Sequence, residues 1–239
     1  MKQPSASRAL IEDLVAASRI LAAHEVLDAY GHVSARSDRR PQHFLMSRSR
    51  APALMTAADV MELDADSEPP PGDKRKGFIE RYIHGEIYRA RPEVMAVVHS
   101  HSASVIPFGV TRARLRPVYH MGSFLWSGAP VFDIRKVREE NDLLVRDRPL
   151  GQALAGSLGS CTCVLMRGHG MTVVGDSVQE AVFRAIYTEM NARLQLQAGQ
   201  LEGPIEFLSD EEGRRSTAAN RGTLERPWEL WKMKALGRK

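Results

Sequence analysis

With 239 residues, 43% hydrophobic and 26% charged, the chain has the composition of an ordinary soluble globular protein, and its length predicts a single domain. The formal net charge of +4 is mild and comes without a basic stripe interleaved with aromatic residues, so nucleic-acid binding is not expected. No apolar stretch approaches the roughly 20 residues that span a bilayer, and the first residues lack the apolar core of a signal peptide. These features predict a cytoplasmic protein without membrane contact.

The first half of the chain alternates between helical and extended patterns. Apolar residues at helical spacing predict an amphipathic helix over 7–28. Runs at 33–36 and 43–46, on either side of a turn-rich segment, predict a pair of strands. Three consecutive prolines indicate a loop at 67–76, and a second helical pattern over 77–91 stops before the next proline.

In the second half, short apolar runs precede a long helix and a C-terminal arm. A helix is expected over 138–146, and a longer one from the Ser177 cap to about residue 197. The domain is expected to cover 1–239, with 223–239 as an exposed helical arm whose two tryptophans are expected to pack onto another surface, such as a neighbouring subunit. Strands are expected at 95–99, 117–120, 131–134, 164–166 and 171–174, the last two forming a hairpin.

The chain has two cysteines, Cys161 and Cys163, on one apolar run. Residues two apart on a strand share a face but lie too far apart for easy disulfide geometry. They are therefore predicted to be free thiols, of which the buried kind behaves as a small apolar side chain.

The most informative motif is His99-Ser100-His101, directly after an apolar run. Side chains two residues apart share one face of a strand, so both imidazoles can reach one cation. A third histidine, His169, lies between two glycines, whose backbone freedom allows a tight turn to aim its side chain. Three imidazoles with an open fourth position are typical of a catalytic zinc site, although iron, copper and nickel also accept imidazole. The sequence therefore predicts a metal site at these three histidines.

Four segments, in this order and spacing, resemble the class II aldolase/adducin family. They are 30–36, Glu80 with the helix that follows it, 91–101 and 167–170. The resemblance extends from about residue 10 to about residue 200. It implies an α/β fold with three α/β/α layers around a central, mostly antiparallel sheet. It also implies a homo-oligomer, commonly a tetramer with active sites between subunits.

The resemblance also implies roles for the motif residues. The family's counterparts of His99, His101 and His169 bind a divalent metal, usually zinc and sometimes manganese or cobalt. The counterpart of Glu80 serves as acid and base and can contact the metal. The chemistry agrees, because a carboxylate beside a cation can exchange a proton while the cation stabilises a developing oxyanion. Without the histidines, Glu80 would be read as a solvated residue favoured by the helix macrodipole.

The residues next to Glu80 distinguish the branches of the family. Sugar-phosphate aldolases carry two hydroxyl residues there to bind phosphate, whereas this chain has Phe78 and Ile79. His32 occupies a position where asparagine is common. These departures disfavour a sugar phosphate. The segments that instead resemble the branch of decarboxylases for hydroxylated aromatic or muconate-type acids are 77–84, 118–121 and 130–135.

That branch implies a metal-dependent decarboxylase of a small-molecule carboxylate. Carbon dioxide leaves, the cation stabilises the enolate that remains, and Glu80 or His120 returns a proton to carbon. Two alternatives stay open. One is a metal-dependent aldolase or epimerase acting on a sugar or sugar phosphate, and the other is a non-enzymatic assembly module similar to an adducin head.

Further residues are candidates for binding the substrate. Arginine meets carboxylates bidentately, so Arg36 and Arg50, together with Ser47, are expected to bind a second substrate carboxylate. For Tyr187, packing in the core is an equally open interpretation. The same holds for His32, which could instead hydrogen-bond the loop that places Ser34. The full candidate set is His32, Ser34, Arg36, Ser47, Arg50 and Tyr187.

Overall fold

A seven-stranded sheet forms the middle of the protein, whose computed structural model describes residues 4–237. The strands are β1 (His32–Arg36), β2 (Phe44–Ser47), β3 (Val60–Leu63), β4 (Ala96–Ser100), β5 (Val131–Phe132), β6 (Cys163–Met166) and β7 (Gly170–Gly175). Their order across the sheet is β3-β2-β1-β4-β7-β6-β5, and only β5 and β6 pair in parallel. The mostly antiparallel sheet expected from the sequence is confirmed.

Helices cover both faces of this sheet. Adjacent residues of a strand point to opposite faces, and accordingly Val97 and Val98 of β4 belong to two different buried clusters. The helices Arg8–Ala23 and Val178–Ala198 cover the cluster that contains Val98. The helices Arg81–Ala90 and Arg148–Leu158 cover the cluster that contains Val97. The α-helices of the described residues are α1 (Arg8–Ala23), α2 (Arg81–Ala90), α3 (Ile106–Val110), α4 (Arg148–Leu158), α5 (Val178–Ala198), α6 (Asp210–Arg221) and α7 (Glu225–Ala235). The result is the expected three-layer α/β/α arrangement.

Several local predictions agree with the structure. β1 and β2 form the antiparallel pair predicted at 33–36 and 43–46, and β6 and β7 form the predicted hairpin. The long helix α5 begins after Ser177, whose side chain accepts a hydrogen bond from the Glu180 N–H. Both cysteines are free. Local sequence signals were sufficient for these elements because their pairing partners are close in sequence.

Both predicted helices of the first half are shorter than expected. α1 ends at Ala23, because the chain turns through a left-handed Glu25 and the N–H groups of Val26 and Leu27 bond back to Leu21. This turn buries Val26 and Leu27 in the core. α2 begins only at Arg81, so the preceding residues of the predicted 77–91 helix form a loop.

Two further predictions were wrong. The segment 117–120 is not a strand; it is an irregular stretch that leads into the 3-10 helix His120–Ser127. The segment 138–146 is not helical. Asn141 and Asp142 accept hydrogen bonds from the N–H groups of Leu143 and Leu144, and Leu143 has a left-handed φ of 67°. Such local side-chain bonds compete with a helix.

The C-terminal helix α7 packs against its own chain. Trp228 is 7% exposed, and Lys232 forms ion pairs with Glu12 and Asp13 of α1 at 3.0 and 2.6 Å. The arm is therefore not exposed on this face, and its two tryptophans pack onto the core of their own chain. In residues 4–237, no helix combines the length and the apolar character that a membrane span requires.

Candidate metal centre

Neighbouring strands bring three histidines together at one end of the sheet. His99 lies in β4, His101 follows the end of that strand, and His169 lies in the turn between β6 and β7. β7 pairs with β4, which aligns the turn with the two other histidines. Gly170 is required at this contact, because a Cβ there would overlap the carbonyl of Ser100. The ring centroids of the three imidazoles are 4.9–5.3 Å apart.

Backbone carbonyls orient two of the imidazoles. Nδ1 of His99 donates to the carbonyl of Met171 at 3.1 Å, and Nδ1 of His169 donates to the carbonyl of Leu143 at 2.9 Å. In the neutral form that binds a metal, the single hydrogen of each ring stays on Nδ1, which leaves the Nε2 lone pair for a cation at the centre of the cluster. This outer bond is how a metal-ligating histidine is usually held.

The donor atoms of the cluster fit a divalent cation. One ligand atom from each of Glu80, His99, His101 and His169 lies within 4.8 Å of the other three. The Nε2 atoms of His101 and His169 are 3.1 Å apart, and Nε2 of His99 is buried without a hydrogen-bond partner among residues 4–237. Three converging imidazoles with one carboxylate form the donor set of a zinc or related transition-metal site.

Glu80 is held in place from two sides. It precedes α2 and is 7% exposed; its Oε1 accepts the Val145 N–H at 2.9 Å, and its Oε2 lies 3.5 Å from the Nε2 atoms of both His99 and His169. Burial opposes the charged form, but the histidine contacts outweigh it and hold the pKa of Glu80 well below its usual range. The same pairing raises the pKa of His169 despite its burial. Glu80 is thus a carboxylate at rest.

The third imidazole has the opposite shift. Burial, with the neighbouring imidazoles of His99 and His169, lowers the pKa of His101 to about 4. A lowered pKa keeps this ring neutral at physiological pH. A neutral imidazole is the form that binds a metal.

A cavity of about 370 Å³ opens beside the cluster. Its wall combines apolar and aromatic side chains with two cationic ones, Arg50 and Lys76. Phe78 and Ile79, from the loop before α2, contribute apolar surface to this wall. The wall includes Tyr30, His32, Arg50, Lys76, Phe78 and Ile79.

Among the candidate substrate-binding residues, His32 and Arg50 line this cavity. Arg50 is half-buried. Its Nε donates a hydrogen bond to the Leu54 carbonyl at 2.8 Å and lies 3.5 Å from Oδ2 of Asp59. Ser34 is buried one layer deeper, on the α2 side of the sheet, where its hydroxyl meets other side chains. Ser47 is buried away from the wall, and its hydroxyl has no partner among the described residues.

Arg36 does not reach the site, which contradicts its assignment to a substrate carboxylate. Its guanidinium donates to the carbonyls of Val94, Pro41, Tyr88 and Arg91 at 2.8–3.1 Å. These bonds use its donors within the protein. Arg36 is therefore a structural residue that fastens β1 to the end of α2.

Tyr187 and His120 are also away from the site of their own chain. Tyr187 lies on α5 with its ring 4.5 Å from that of Phe183, in the core on the opposite face of the sheet. His120 is exposed at the start of a 3-10 helix, and its carbonyl accepts a hydrogen bond from Asn220 of α6. Neither lines the cavity. Within one chain, the structure therefore places neither side chain at the candidate site.

The sequence interpretation missed one residue beside the centre. His84, at 0% exposure, bonds to Nδ1 of His32 at 2.7 Å and to the hydroxyl of Ser34 at 2.7 Å. Burial lowers the pKa of both His32 and His84 well below the ordinary histidine value. The available signal was spacing: His84 and Tyr88 are four apart on α2, and His32 and Ser34 are two apart on β1, so each pair shares a face.

The chain matches the family of class II aldolase and adducin N-terminal domains over residues 12–196. Decarboxylase tropJ of Talaromyces stipitatus is 40% identical over 244 residues, which cover 92% of each chain. A 3,4-dihydroxyphthalate decarboxylase of Terrabacter is 36% identical over 208 residues, covering 83% of this chain and 84% of the relative. The fold is similar to that of an L-fuculose 1-phosphate aldolase from Glaciozyma antarctica, with a TM-score of 0.79, 22% identity and coverage of 100% of this chain and 97% of the other. The chain therefore belongs to the class II aldolase/adducin family and is an enzyme of its decarboxylase branch, a carbon–carbon lyase.

Proposed function

We propose that the chain is a metal-dependent decarboxylase of a hydroxylated aromatic or muconate-type carboxylic acid. The observation that carries the proposal is the cluster of Glu80 and three histidines beside a cavity with apolar walls and two cationic side chains. The relatives support the same reaction, since one of them is named for 3,4-dihydroxyphthalate. The side chains of Phe78 and Ile79 have no hydrogen-bond donor for a phosphate, which disfavours the alternative substrate class of sugar phosphates.

His99, His101 and His169 would hold the metal, and Glu80 would face it in the resting state. A bound divalent cation supplies a Lewis acid that polarises a substrate oxygen and stabilises the negative charge that develops there. We propose zinc, because three imidazoles and a carboxylate suit it, with manganese or cobalt as substitutes. Measuring the metal content of the purified protein by mass spectrometry tests this choice.

Glu80 would move the proton. A cation at the histidines would lower the pKa of a substrate hydroxyl beside it, so the Glu80 carboxylate could take that proton and deliver it to the ring carbon that bears the carboxylate. The carbon–carbon bond then breaks, carbon dioxide leaves, and the electron pair of that bond restores the ring with the charge on oxygen. A proton from water returns the hydroxyl group and balances the reaction.

Arg50 and Lys76 would bind a second carboxylate of the substrate. Both line the cavity, and an arginine guanidinium matches a carboxylate bidentately. Tyr30, Phe78 and Ile79 offer apolar surface for a ring or a conjugated chain. Ser34 and Ser47 are buried behind the cavity wall, so we propose that they support the wall and do not contact the substrate.

We also propose a homotetramer in the cytoplasm. His120 does not line the cavity of its own chain, so it is proposed as a proton donor only if a second copy supplies it. Free thiols at Cys161 and Cys163 are typical of a reducing compartment and support the location. Analytical ultracentrifugation of the purified protein tests the assembly, and a monomer would leave His120 without a role.

One experiment tests the reaction. The metal-loaded protein is incubated with dihydroxyphthalates, other hydroxylated aromatic acids, muconate-type acids and sugar phosphates, and products are read by mass spectrometry. Loss of carbon dioxide from an acid, abolished by a chelator and restored by metal, is expected. Full activity after complete metal removal would contradict the metal dependence, and cleavage of a sugar phosphate would return the chain to the aldolases.

A further inference from the structure

A line of four buried polar side chains runs from the cavity into the protein. Nδ1 of His32 lies 2.7 Å from Nε2 of His84, Nδ1 of His84 lies 2.7 Å from the hydroxyl of Ser34, and that hydroxyl lies 2.7 Å from the hydroxyl of Tyr88. The four residues are between 0% and 6% exposed. The line begins at the cavity wall, where His32 stands, and ends inside the protein at Tyr88.

The fold brings these groups into register. His32 and Ser34 are two residues apart on β1, a rise of roughly 7 Å, and His84 and Tyr88 are four apart on α2, a rise of about 6 Å. The similar spacings allow α2 to match each of its side chains with one on the strand. His32 also pairs directly with His99 across the sheet, and their ring centroids are 5.1 Å apart. The line therefore starts beside a candidate metal ligand.

The number of hydrogens on each group determines which group donates in each of the three hydrogen bonds. The Tyr88 hydroxyl has one hydrogen, and in residues 4–237 its side-chain partner is the Ser34 oxygen, so Tyr88 donates to Ser34. The Ser34 hydrogen then goes to Nδ1 of His84, its other partner. A histidine that accepts at Nδ1 carries its hydrogen on Nε2, so His84 donates to Nδ1 of His32.

The same count defines the state of His32. Its Nδ1 is an acceptor, so the ring is neutral and carries its hydrogen on Nε2. The reverse direction would leave the buried Tyr88 hydroxyl hydrogen without an acceptor, which is costly in a protein interior. The arrangement in which every hydrogen inside the line has an acceptor thus leaves one hydrogen over, the Nε2–H of His32 at the cavity wall.

We propose that His84 is a positioning residue, which with Ser34 and Tyr88 holds His32 in the tautomer that donates Nε2–H to an acceptor oxygen of the substrate. The group recognised is a carboxylate or phenolate oxygen next to the metal centre. The substrate contact rests on the proposed function, whereas the tautomer does not. His32 thereby distinguishes substrates that present an acceptor oxygen at this position from those that present a donor.

The first test reads the tautomer of His32 by nuclear magnetic resonance of zinc-loaded protein with ¹⁵N-labelled histidine. Three proteins are compared: the unchanged chain, His84→Leu, which removes the donor to His32, and His84→Gln, whose amide can replace it. We expect the Nε2–H tautomer in the unchanged chain and in His84→Gln, and a mixture in His84→Leu. An Nδ1–H or doubly protonated His32 in the unchanged chain overturns the proposal, as does the same tautomer in all three proteins.

The second test measures the contact with the substrate. The probe is 2-hydroxybenzoate, which carries a hydroxyl and a carboxylate side by side. Its addition is expected to shift the His32 Nε2–H signal, and an unchanged signal overturns the contact. On an acid that is decarboxylated, His84→Leu should raise KM roughly tenfold or more with little effect on kcat and on zinc content, and His84→Gln should restore KM. An unchanged KM in His84→Leu also overturns the contact.

Failure of the proposed function is distinguishable from failure of this inference. The tautomer measurement needs no turnover, so a protein that decarboxylates none of the acids can still have His32 in the Nε2–H form. Conversely, a working decarboxylase whose His32 carries its hydrogen on Nδ1 would keep its function and lose the proposed positioning role for His84.

Discussion

At the scale of single residues, the candidate centre depends on groups that orient three of its four donor residues, His99, His169 and Glu80. Backbone carbonyls take the outer N–H of His99 and His169, and the Val145 N–H and two imidazoles hold Glu80 as a carboxylate. These contacts settle which atoms face the centre before any ligand enters. A site prepared in this way needs little reorganisation when a metal or a substrate binds.

Replacing Glu80 by glutamine tests its role as the proton carrier. The amide keeps the size of the side chain and can still contact Val145, but it cannot take or return a proton. We expect turnover of the decarboxylated acid to fall by about 10²–10⁴, with metal content unchanged. Steady-state kinetics and metal analysis of the same preparation measure both quantities. Turnover equal to that of the unchanged chain would remove Glu80 from the mechanism.

Replacing His169 by alanine tests the metal site itself. Loss of one of three imidazole donors should weaken metal binding by more than the roughly 10–100-fold typical of losing an outer partner. Competition with a chromophoric chelator measures the affinity. His43→Ala is the matched control, because His43 is half-buried beside Glu62 and outside the cluster. Equal affinities of the two variants would contradict the proposed ligand role of His169.

At the scale of elements, the site is completed by a segment that avoids regular structure. The carbonyl of Leu143 accepts from His169, and the N–H of Val145 donates to Glu80. In a helix over 138–146 these backbone groups would bond within the helix. The local hydrogen bonds of Asn141 and Asp142 keep the segment irregular and leave its backbone available to the site.

The hairpin that carries His169 depends on the close approach of β7 to β4. In Gly170→Ala the new methyl would overlap the backbone of Ser100 and His101, so we expect a loss of about 1–3 kcal/mol in the free energy of unfolding and weaker metal binding. Gly156→Ala is the matched control. Nothing lies within 4 Å of a Cβ there, and the residue is within α4, so stability should stay equal or rise. Urea unfolding measures the stability of both variants. Equal stabilities would contradict the close approach of Gly170 to the backbone of Ser100.

At the scale of the whole molecule, two cores are separated by one sheet. The core on the α2 and α4 side supports the candidate metal centre, and the core on the α1 and α5 side also receives the C-terminal helix. Trp228 of α7 is buried there, and the ring of Trp231 packs against His24 at 5.2 Å. The C-terminal helix thus contributes to the same buried cluster as the first helix.

Truncation of one tryptophan tests whether the C-terminal helix is part of the folded domain. We expect Trp228→Ala to lower the free energy of unfolding by about 3–5 kcal/mol, because it opens a cavity in the core. Leu230→Ala on the same helix, at 46% exposure, should change it by less than about 0.5 kcal/mol. Chemical denaturation measures both. A stability of Trp228→Ala equal to that of Leu230→Ala would mean that the helix detaches in solution.

Local sequence signals were sufficient to predict much of the fold and part of the candidate site. The period of two along β4, the glycines around His169 and the order of the motif segments were enough to predict the mostly antiparallel sheet, the hairpin, the three histidines and the family. Each of these depends on neighbours within a few residues or on a recognisable motif, and backbone geometry translates such spacings directly into shared faces. The helix predicted over 138–146 was wrong. The composition of this segment allows a helix, but the side chains of Asn141 and Asp142 accept hydrogen bonds from nearby backbone N–H groups instead.

Tertiary packing alone decided what surrounds the motif. Backbone carbonyls bond the guanidinium of Arg36, Tyr187 lies on the other side of the sheet from the site, and His84 contacts His32 across 52 positions of sequence. All three facts depend on which face of one element packs against another. An arginine with free donors and one with bonded donors look the same in a sequence. The physical reason is that hydrogen-bond partners distant along the chain are chosen by packing, and packing is a property of the assembled layers rather than of any local segment.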